Sequence, residues 1–347
     1  MTTERLTTEL DDILRAGDII RRGGLVAFPT ETVYGLGANA LDAEAVSSVY
    51  AAKGRPSDNP MIVHIAEKSE LDDLIRGGLE SLTEDARRTM DAFWPGPLTI
   101  IFPKSDAVPD ATTGGLDTVA VRMPSNRAAY MLIAASLRPI AAPSANVSGR
   151  PSPTTAEDVL EDMDGRIDAI IMGEQCDVGI ESTVLDLTGE VPTILRPGII
   201  TKEELTEALG REVVYYKSLL EKPAETADPE DGVADTEFKP KSPGMKYWHY
   251  SPKAKVRLIE GSREEFVAKA KELGVEAIRN GLKPAVLDYR EDEHAAAHDL
   301  FADLREFDRQ GYDLILIRTL EESGLGFSVM NRMLKSAGYD IVKLRFL

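Results

Sequence analysis

Short apolar runs bounded by turn-forming residues recur along the first part of the chain and predict strands at 24–29, 61–65, 98–102, 119–122, 140–142, 169–172 and 182–187. Between them, apolar positions at helical spacing predict helices at 43–53, 83–92, 127–136 and 155–163. The first of these helices has Asp42 at its N-cap and Val46, Val49 and Tyr50 on one stripe. Such a mixture is the pattern of an open α/β sheet. The segment 30–40, TETVYGLGANA, is expected to join the first strand to the first helix as a loop.

The pattern breaks over 217–245, where apolar periodicity disappears and Pro, Asp, Glu and Lys accumulate, as in a linker. A regular alternation follows: strands at 256–259, 285–288 and 314–317, each followed by a helix, at 263–280, 295–309 and 326–337. This βαβαβα order predicts a small parallel sheet with right-handed crossovers. The expected organisation is therefore a large domain over 8–210, a connecting segment over 211–253 and a small domain over 254–347. At 347 residues the chain exceeds what one core usually organises, which agrees with that division.

Charge narrows the range of partners. The net charge is −19, with 17 Lys and Arg against 31 Asp and Glu in residues 1–200, a balance of −14 there and −5 in the remainder. A chain this acidic repels a phosphate backbone at long range, so tight, non-specific nucleic-acid binding is not expected, and any anionic ligand has to be held by a few placed cations. The polar start and the lack of any run of roughly 18 apolar residues predict no membrane association and a cytoplasmic location. Cys176 is the single cysteine, so no internal disulfide and no thiolate zinc cluster can form.

Three cationic elements interrupt the acidic first domain: Lys53-Gly54-Arg55-Pro56 at a helix end, Arg122 closing an apolar strand, and Arg196 before Pro197-Gly198. A guanidinium presents a planar fork matched to phosphate or carboxylate, and an ammonium is a compact charge. These cations either neutralise a phosphate chain or pair with neighbouring carboxylates. The small turn-forming residues beside each would let a ligand approach the backbone. Pro143-Ser144-Ala145-Asn146-Val147-Ser148-Gly149 is either an anion-binding nest or a plain turn. Glu181-Ser182-Thr183 is equally open. His64 lies inside an apolar strand, where its imidazole has either to find a partner or to face a ligand.

Other motifs fit less well. Gly35-Leu36-Gly37-Ala38-Asn39-Ala40 loosely matches a dinucleotide fingerprint, but Thr30 to Tyr34 intervene where the fingerprint wants an immediate turn, and no acid ends a second strand about 20 residues on. The phosphate-loop pattern with Gly-Lys-Ser/Thr is absent from the sequence. His294 and His298 are one helical turn apart, yet only Ala separates them, so the glutamate of the zinc-protease motif is missing and a solvated pair is expected.

The order of these elements resembles one family, the threonylcarbamoyl-AMP synthases in their long, two-domain, YrdC-like form. The resemblance rests on Phe28-Pro29-Thr30-Glu31-Thr32-Val33-Tyr34-Gly35-Leu36-Gly37, Lys53-Gly54-Arg55-Pro56 with Asn59-Pro60, Trp94-Pro95-Gly96-Pro97, Val119-Ala120-Val121-Arg122, Pro143-Ser144-Ala145-Asn146, Ser148-Gly149 and Arg196-Pro197-Gly198. Pro243-Gly244-Met245-Lys246-Tyr247 with His249-Tyr250, and Gly324-Leu325-Gly326 with Val329-Met330-Asn331-Arg332, are similar to the long form.

What the resemblance implies is an α/β fold: a twisted open mixed sheet with helices, YrdC-like, followed by a small Rossmann-like parallel domain. It implies ATP-dependent synthesis of L-threonylcarbamoyladenylate from L-threonine and bicarbonate, with release of pyrophosphate. That is the first step of N6-threonylcarbamoyladenosine (t6A) modification of tRNA, and the product would pass to a tRNA threonylcarbamoyltransferase complex, with tight direct tRNA binding by this chain not expected. By motif position, Thr32, His64, Arg122, Ala142 and Ser182 would contact threonine. Arg55, Asn59, Thr118, Ser144, Ser152, Arg196, Tyr247 and His249 would contact ATP, and Lys53 and Arg55 would carry catalysis by meeting phosphate charge. Mg²⁺ would enter with ATP, with no protein side chain as its ligand, and the segment around Tyr247 and His249 would close as a flap. Asn126, Trp248 and Ser251 depart from the family's usual residues without removing a contact. Two rivals are a carbamoyl-phosphate-adenylating domain, whose relatives carry cysteine-rich zinc modules, and an RNA-binding module, disfavoured by the charge of −14 in residues 1–200.

Overall fold

The computed structural model describes residues 2–220, 242 and 250–344. The chain divides into two compact units, Met1–Ser148 with Ser152–Tyr247, and Gly149–Pro151 with Trp248–Leu347. Among the described residues, no helix is long and apolar enough to cross a membrane.

The first unit is built on strands β1 (Glu4–Leu6), β2 (Val26–Phe28), β3 (Gly35–Asn39), β4 (Ile62–His64), β5 (Leu98–Pro103), β6 (Thr118–Arg122), β7 (Ile140–Ala141), β8 (Ala169–Ile171), β9 (Thr183–Asp186), β10 (Thr193–Arg196) and β11 (Val214–Tyr215). They form one mixed sheet in the order β1-β8-β2-β3-β7-β4-β6-β5-β9-β10-β11. Parallel and antiparallel neighbours alternate through its centre: β4 pairs parallel with β6, β6 antiparallel with β5, β5 parallel with β9, and β9 antiparallel with β10.

Alternation of side chains sends the two halves of each strand to different cores. Val63, Val121, Ile100, Leu185 and Ile194 join the larger core with Val46 and Val49 of helix Ala43–Lys53, Met90 of Glu84–Phe93 and Val159 of Ala156–Met163. On the opposite face, Val26, Phe28, Ile140 and Ile171 pack with Ile13 and Ile20 of helix Leu10–Arg21 and Leu132 of helix Arg127–Ser136. Further along that face Ile62, Ala120, Ile101, Val184 and Leu195 form a small separate cluster.

Several elements were not expected from the sequence, β1, β10, β11 and helix Lys202–Leu209 among them, and two further differences bear on packing. Leu10–Arg21, in the polar start of the chain, is a helix whose buried side is Ile13, Ala16, Gly17 and Ile20. A Cβ on Gly17 would stand 2.8 Å from the Ala135 carbonyl carbon, so glycine permits the close crossing of this helix with Arg127–Ser136. Gly35–Asn39, expected to be loop, is strand β3, antiparallel to β2. Its glycines serve packing: a Cβ on Gly37 would lie 2.7 Å from Ile140 Cγ2, and one on Gly35 would lie 3.2 Å from Phe28 Cζ. The same hairpin removes the dinucleotide reading, because the glycines open no helix.

The second unit carries β12 (Lys255–Glu260), β13 (Pro284–Leu287), β14 (Leu314–Arg318) and β15 (Ile341–Lys343), all parallel, in the order β13-β14-β12-β15. Helices Arg263–Arg279, Glu293–Arg309 and Gly324–Ser336 connect them. Each strand–helix alternation expected from the sequence is present, and β15 adds a fourth strand. Arg305 is fully buried in this unit and donates from Nε and Nη2 to the Pro151 carbonyl at 3.1 and 2.6 Å. Tyr250 stacks on Phe301 with ring centres 5.0 Å apart.

Candidate active site

Strand register brings the first unit's polar interior residues together. Ile140 is the partner of His64, His64 of Arg122, Arg122 of Thr99, Thr99 of Val184, and Val184 of Arg196, one row across β7, β4, β6, β5, β9 and β10. Partners in a row project to the same face of a sheet. Arg196 joins the row because the β9–β10 register shifts between Ile194 and Arg196, an irregularity of the kind that re-aims a side chain. His64, Arg122, Thr99 and Arg196 are all buried.

Two guanidiniums and an imidazole in one desolvated row set the electrostatics. Burial first, then the charges of Arg122 and Arg196, push the His64 pKa down to about 3, against the opposing effect of backbone hydrogen bonds at Ile140 and Ile62. The ring is neutral at physiological pH, with Nδ1 3.1 Å from the Ile62 carbonyl. His64 is thus a polar but uncharged wall beside two permanent cations.

Arg122 is held from three sides. Its Nε lies 3.4 Å from the Gly96 carbonyl, in the Trp94-Pro95-Gly96-Pro97 turn, which Trp94 fixes by donating from Nε1 to the Leu98 carbonyl at 2.7 Å. Nη1 donates to Thr32 Oγ1 at 2.9 Å. Nη2 stands 2.8 Å from Glu31 Oε1, with both side chains under a tenth exposed. That contact is an ion pair by distance, yet its angle is not that of a hydrogen bond, so Nη2 and both Glu31 oxygens have no hydrogen-bond partner. Glu31 and Thr32 come from the β2–β3 hairpin loop, anchored where Val178 N–H donates to the Glu31 carbonyl at 2.8 Å and Gly179 N–H to the Thr32 carbonyl at 3.1 Å.

The hydroxyls of this loop are densely bonded. Thr30 Oγ1 donates to the Val33 carbonyl at 2.7 Å, accepts from the Thr32 and Val33 N–H groups at 3.2 and 3.3 Å, and lies 2.9 Å from Thr32 Oγ1. Thr32 Oγ1 accepts from Arg122 Nη1. Farther along the row, Ser182 Oγ accepts from Arg196 Nη2 at 3.0 Å and lies 2.8 Å from Thr99 Oγ1, while Arg196 Nε donates to the Ser182 carbonyl at 3.0 Å. Ser182 and Arg196, expected to touch different ligands, are directly bonded.

The loop 143–149 approaches from the end of β7. Lys53 is buried at the end of helix Ala43–Lys53, where Gly54 closes the helix in the left-handed conformation at φ 62°. Its ammonium donates to the Ser144 carbonyl and, at 2.5 Å, to the Asn146 carbonyl. Ser144 Oγ donates to Asn146 Oδ1 at 2.5 Å. Lys53 thus holds this loop in shape and brings its charge to the loop's underside.

Arg55 is half-buried, with Nη2 donating to the Pro60 carbonyl at 3.0 Å. Asn59 is buried and its Oδ1 has no partner. Ser152 Oγ donates to Glu181 Oε1 at 2.5 Å. Ala142 is buried after β7, its N–H donating to the Ile62 carbonyl at 2.9 Å, and Thr118 is half-buried at the start of β6. Tyr247 and His249, with most of the segment expected to form a flap, lie outside the described residues. Cys176 is buried, which pushes its thiol up to about 12 and leaves it an uncharged filler.

Sequence reasoning did not single out Glu31 or Thr99. Thr99 carries the signal used for His64, a polar side chain inside an apolar stretch, but is small enough to pass in a strand, whereas Glu31, between Thr30 and Thr32 in a loop, carries no such signal.

Comparison with known proteins adds independent findings. The family described as "Telomere recombination" matches residues 18–198, and that described as "Threonylcarbamoyl-AMP synthase, C-terminal domain" matches residues 200–338. A threonylcarbamoyl-AMP synthase of Pyrococcus abyssi is 47% identical over 95% of each chain, and one of Bacillus subtilis is 42% identical over 98% of this chain and 97% of its own. The solved structure of P. abyssi Sua5 complexed with L-threonine superposes with a TM-score of 0.89 at 44% identity, covering 99% of this chain and 100% of the other.

Proposed function

We infer the reaction from one premise: this chain belongs to the threonylcarbamoyl-AMP synthase family, in its two-domain form. The reading we propose is ATP-dependent conversion of L-threonine and bicarbonate to L-threonylcarbamoyladenylate with release of pyrophosphate, as a nucleotidyltransferase supplying t6A modification of tRNA. The observation that carries it is the buried row of His64, Arg122, Thr99 and Arg196, which puts two permanent cations on one face of the sheet. An amino-acid carboxylate suits Arg122, with Thr32, His64, Ala142 and Ser182 around it. A triphosphate suits Arg55 and Arg196, with Asn59, Thr118, Ser144 and Ser152 as its polar surround, and with Tyr247 and His249 as proposed contacts from the segment after residue 242.

Chemically, the amine of threonine adds to bicarbonate to give an N-carboxylate and water. That carboxylate attacks the α-phosphorus of ATP in line, and pyrophosphate leaves. No nucleophilic side chain is needed, because positioning and charge stabilisation suffice. Neutral His64 beside the amine would add no third cation to repel an ammonium. Lys53 contributes through the loop whose Ser144 faces the nucleotide, and its buried charge favours phosphate nearby. Mg²⁺ would be held mainly by phosphate oxygens and water, with the unpartnered Asn59 Oδ1 as a hard oxygen at hand, and would neutralise charge on the leaving pyrophosphate. The product is a mixed anhydride labile to water, so transfer to a tRNA threonylcarbamoyltransferase complex is the expected fate.

The test is pyrophosphate release by purified protein with ATP and Mg²⁺, comparing L-threonine, L-serine and no amino acid, with and without bicarbonate. Release requiring both threonine and bicarbonate is expected. ATP left intact in every mixture would overturn the reading.

A further inference from the structure

We propose that Glu31 receives the α-ammonium of the amino-acid substrate, so that Glu31 and Arg122 together read an amino-acid zwitterion. The inference rests on the amino-acid substrate of the preceding section and adds to it a residue in direct contact with the ligand. Glu31 is 5% exposed, and neither carboxylate oxygen has a hydrogen-bond donor. A buried carboxylate in that condition is costly unless something completes it.

An ion pair serving only to neutralise Arg122 would use the geometry that a carboxylate and a guanidinium prefer, two parallel in-line hydrogen bonds. Here a single Glu31 oxygen approaches Nη2 off that line, and Arg122 spends Nη1 on Thr32 and Nε on Gly96 instead. Two opposite charges are thus held side by side with their bonding capacity unspent. A free α-amino acid near neutral pH carries the complementary pair, a carboxylate and an ammonium one carbon apart. Its carboxylate would complete Arg122 Nη2 and its ammonium would complete Glu31.

Cations from other elements do not reach Glu31: among the described residues its only ion-pair partner is Arg122.

The experiment is calorimetric binding of L-threonine and of the analogue with hydroxyl in place of the α-amine, 2,3-dihydroxybutanoate of matching configuration, to full-length wild-type protein and to Glu31→Gln. Wild-type protein is expected to bind the analogue at least about 10-fold more weakly, as loss of a charge-assisted contact implies. Glu31→Gln is expected to weaken threonine by about 10- to 100-fold and to bring the two ligands within about 3-fold of each other. Wild-type protein binding both ligands alike overturns the proposal, and that arm holds even if the variant does not fold. So does a folded Glu31→Gln that keeps the wild-type preference. If folded wild-type protein binds no threonine, the amino-acid reading itself falls, which separates that failure from a failure of Glu31 alone.

Discussion

In the first unit's sheet, His64, Arg122 and Arg196 each close their strand and Thr99 stands one residue inside β5, all of them buried and on one face. In the second unit's sheet the interior positions are apolar: Val256, Leu258, Ile315, Leu316 and Ile317 are all buried. Arg318 likewise closes β14 and is buried, but two carboxylates complete it, Asp288 accepting from Nε at 2.8 Å and Glu291 from Nη1 at 3.2 Å. Arg122 Nη2, by contrast, meets Glu31 without a hydrogen bond, and an incompletely bonded buried cation costs folding free energy that a purely structural pair need not bear. The difference is what the proposed ligand site requires, an arginine with bonding capacity left for a substrate.

The comparison would break most visibly at Arg122. Arg122→Ala removes the central cation of the row and leaves Glu31 buried without a counter-charge, so threonine-dependent pyrophosphate release should fall by about 1000-fold or more and stability by about 3–5 kcal/mol. Near-wild-type rates and melting temperature together would show the row to be inert. Arg55→Ala and Arg196→Ala should each keep the fold and lower kcat/KM for ATP by about 10- to 1000-fold. The two sharpen the picture differently, because only Arg196 donates to Ser182. Steady-state kinetics should show the threonine KM rising in Arg196→Ala and unchanged in Arg55→Ala.

A smaller effect concerns pH. The folded-state pKa of His64, about 3, lies below its ordinary value of 6.5, so between those values the unfolded chain binds the extra proton. Stability that is complete above pH 6.5 should therefore decline as pH falls toward 3, and His64→Gln should flatten that part of the melting-temperature curve relative to wild type. Parallel curves for the two proteins would place the titration elsewhere. The smallest effect is expected in the second unit: Arg318→Gln should lower stability by about 1–3 kcal/mol in chemical denaturation and leave pyrophosphate release within about 2-fold. A large loss of activity would show that the second sheet's charges also serve the reaction.

Strands with unbroken apolar runs, such as β8 and the first four residues of β14, and helices with clear caps, such as Ala43–Lys53 behind Asp42, were legible because local pattern alone specifies them. β3 was not, since Gly35 and Gly37 depress strand propensity and their reason is a tight contact with Phe28 and Ile140 that only the folded state contains. The helix Leu10–Arg21 was hidden by its exposed acids, though Ile13, Gly17 and Ile20 hold the helical spacing. Within the site, residue types were readable and their neighbours were not. Nothing local says that β6 lies beside β4 and β5, so neither the row nor the Glu31–Arg122 pairing could be deduced. The ammonium of Lys53 was expected at a phosphate, and its turn toward the Ser144 and Asn146 carbonyls depends on a loop some ninety positions away, the sequence separations being 91 and 93.

The row has a consequence for how such a chain can change over time. Neighbouring strands are spaced by roughly 4.8 Å, so Arg122 and Arg196, three strands apart, have backbones about 14 Å from one another as long as the ladder stands. The hydrogen-bond ladder acts as a ruler, and no side chain has to hold that interval. Residues may be gained or lost freely in the turns between strands, but a single insertion within β4, β6, β5, β9 or β10 would turn the rest of that strand over and carry one mark of the ruler to the far side of the sheet. Length variation among natural descendants of this chain should accordingly collect in its connections and spare those five strands, a pattern open to inspection in any collection of their sequences.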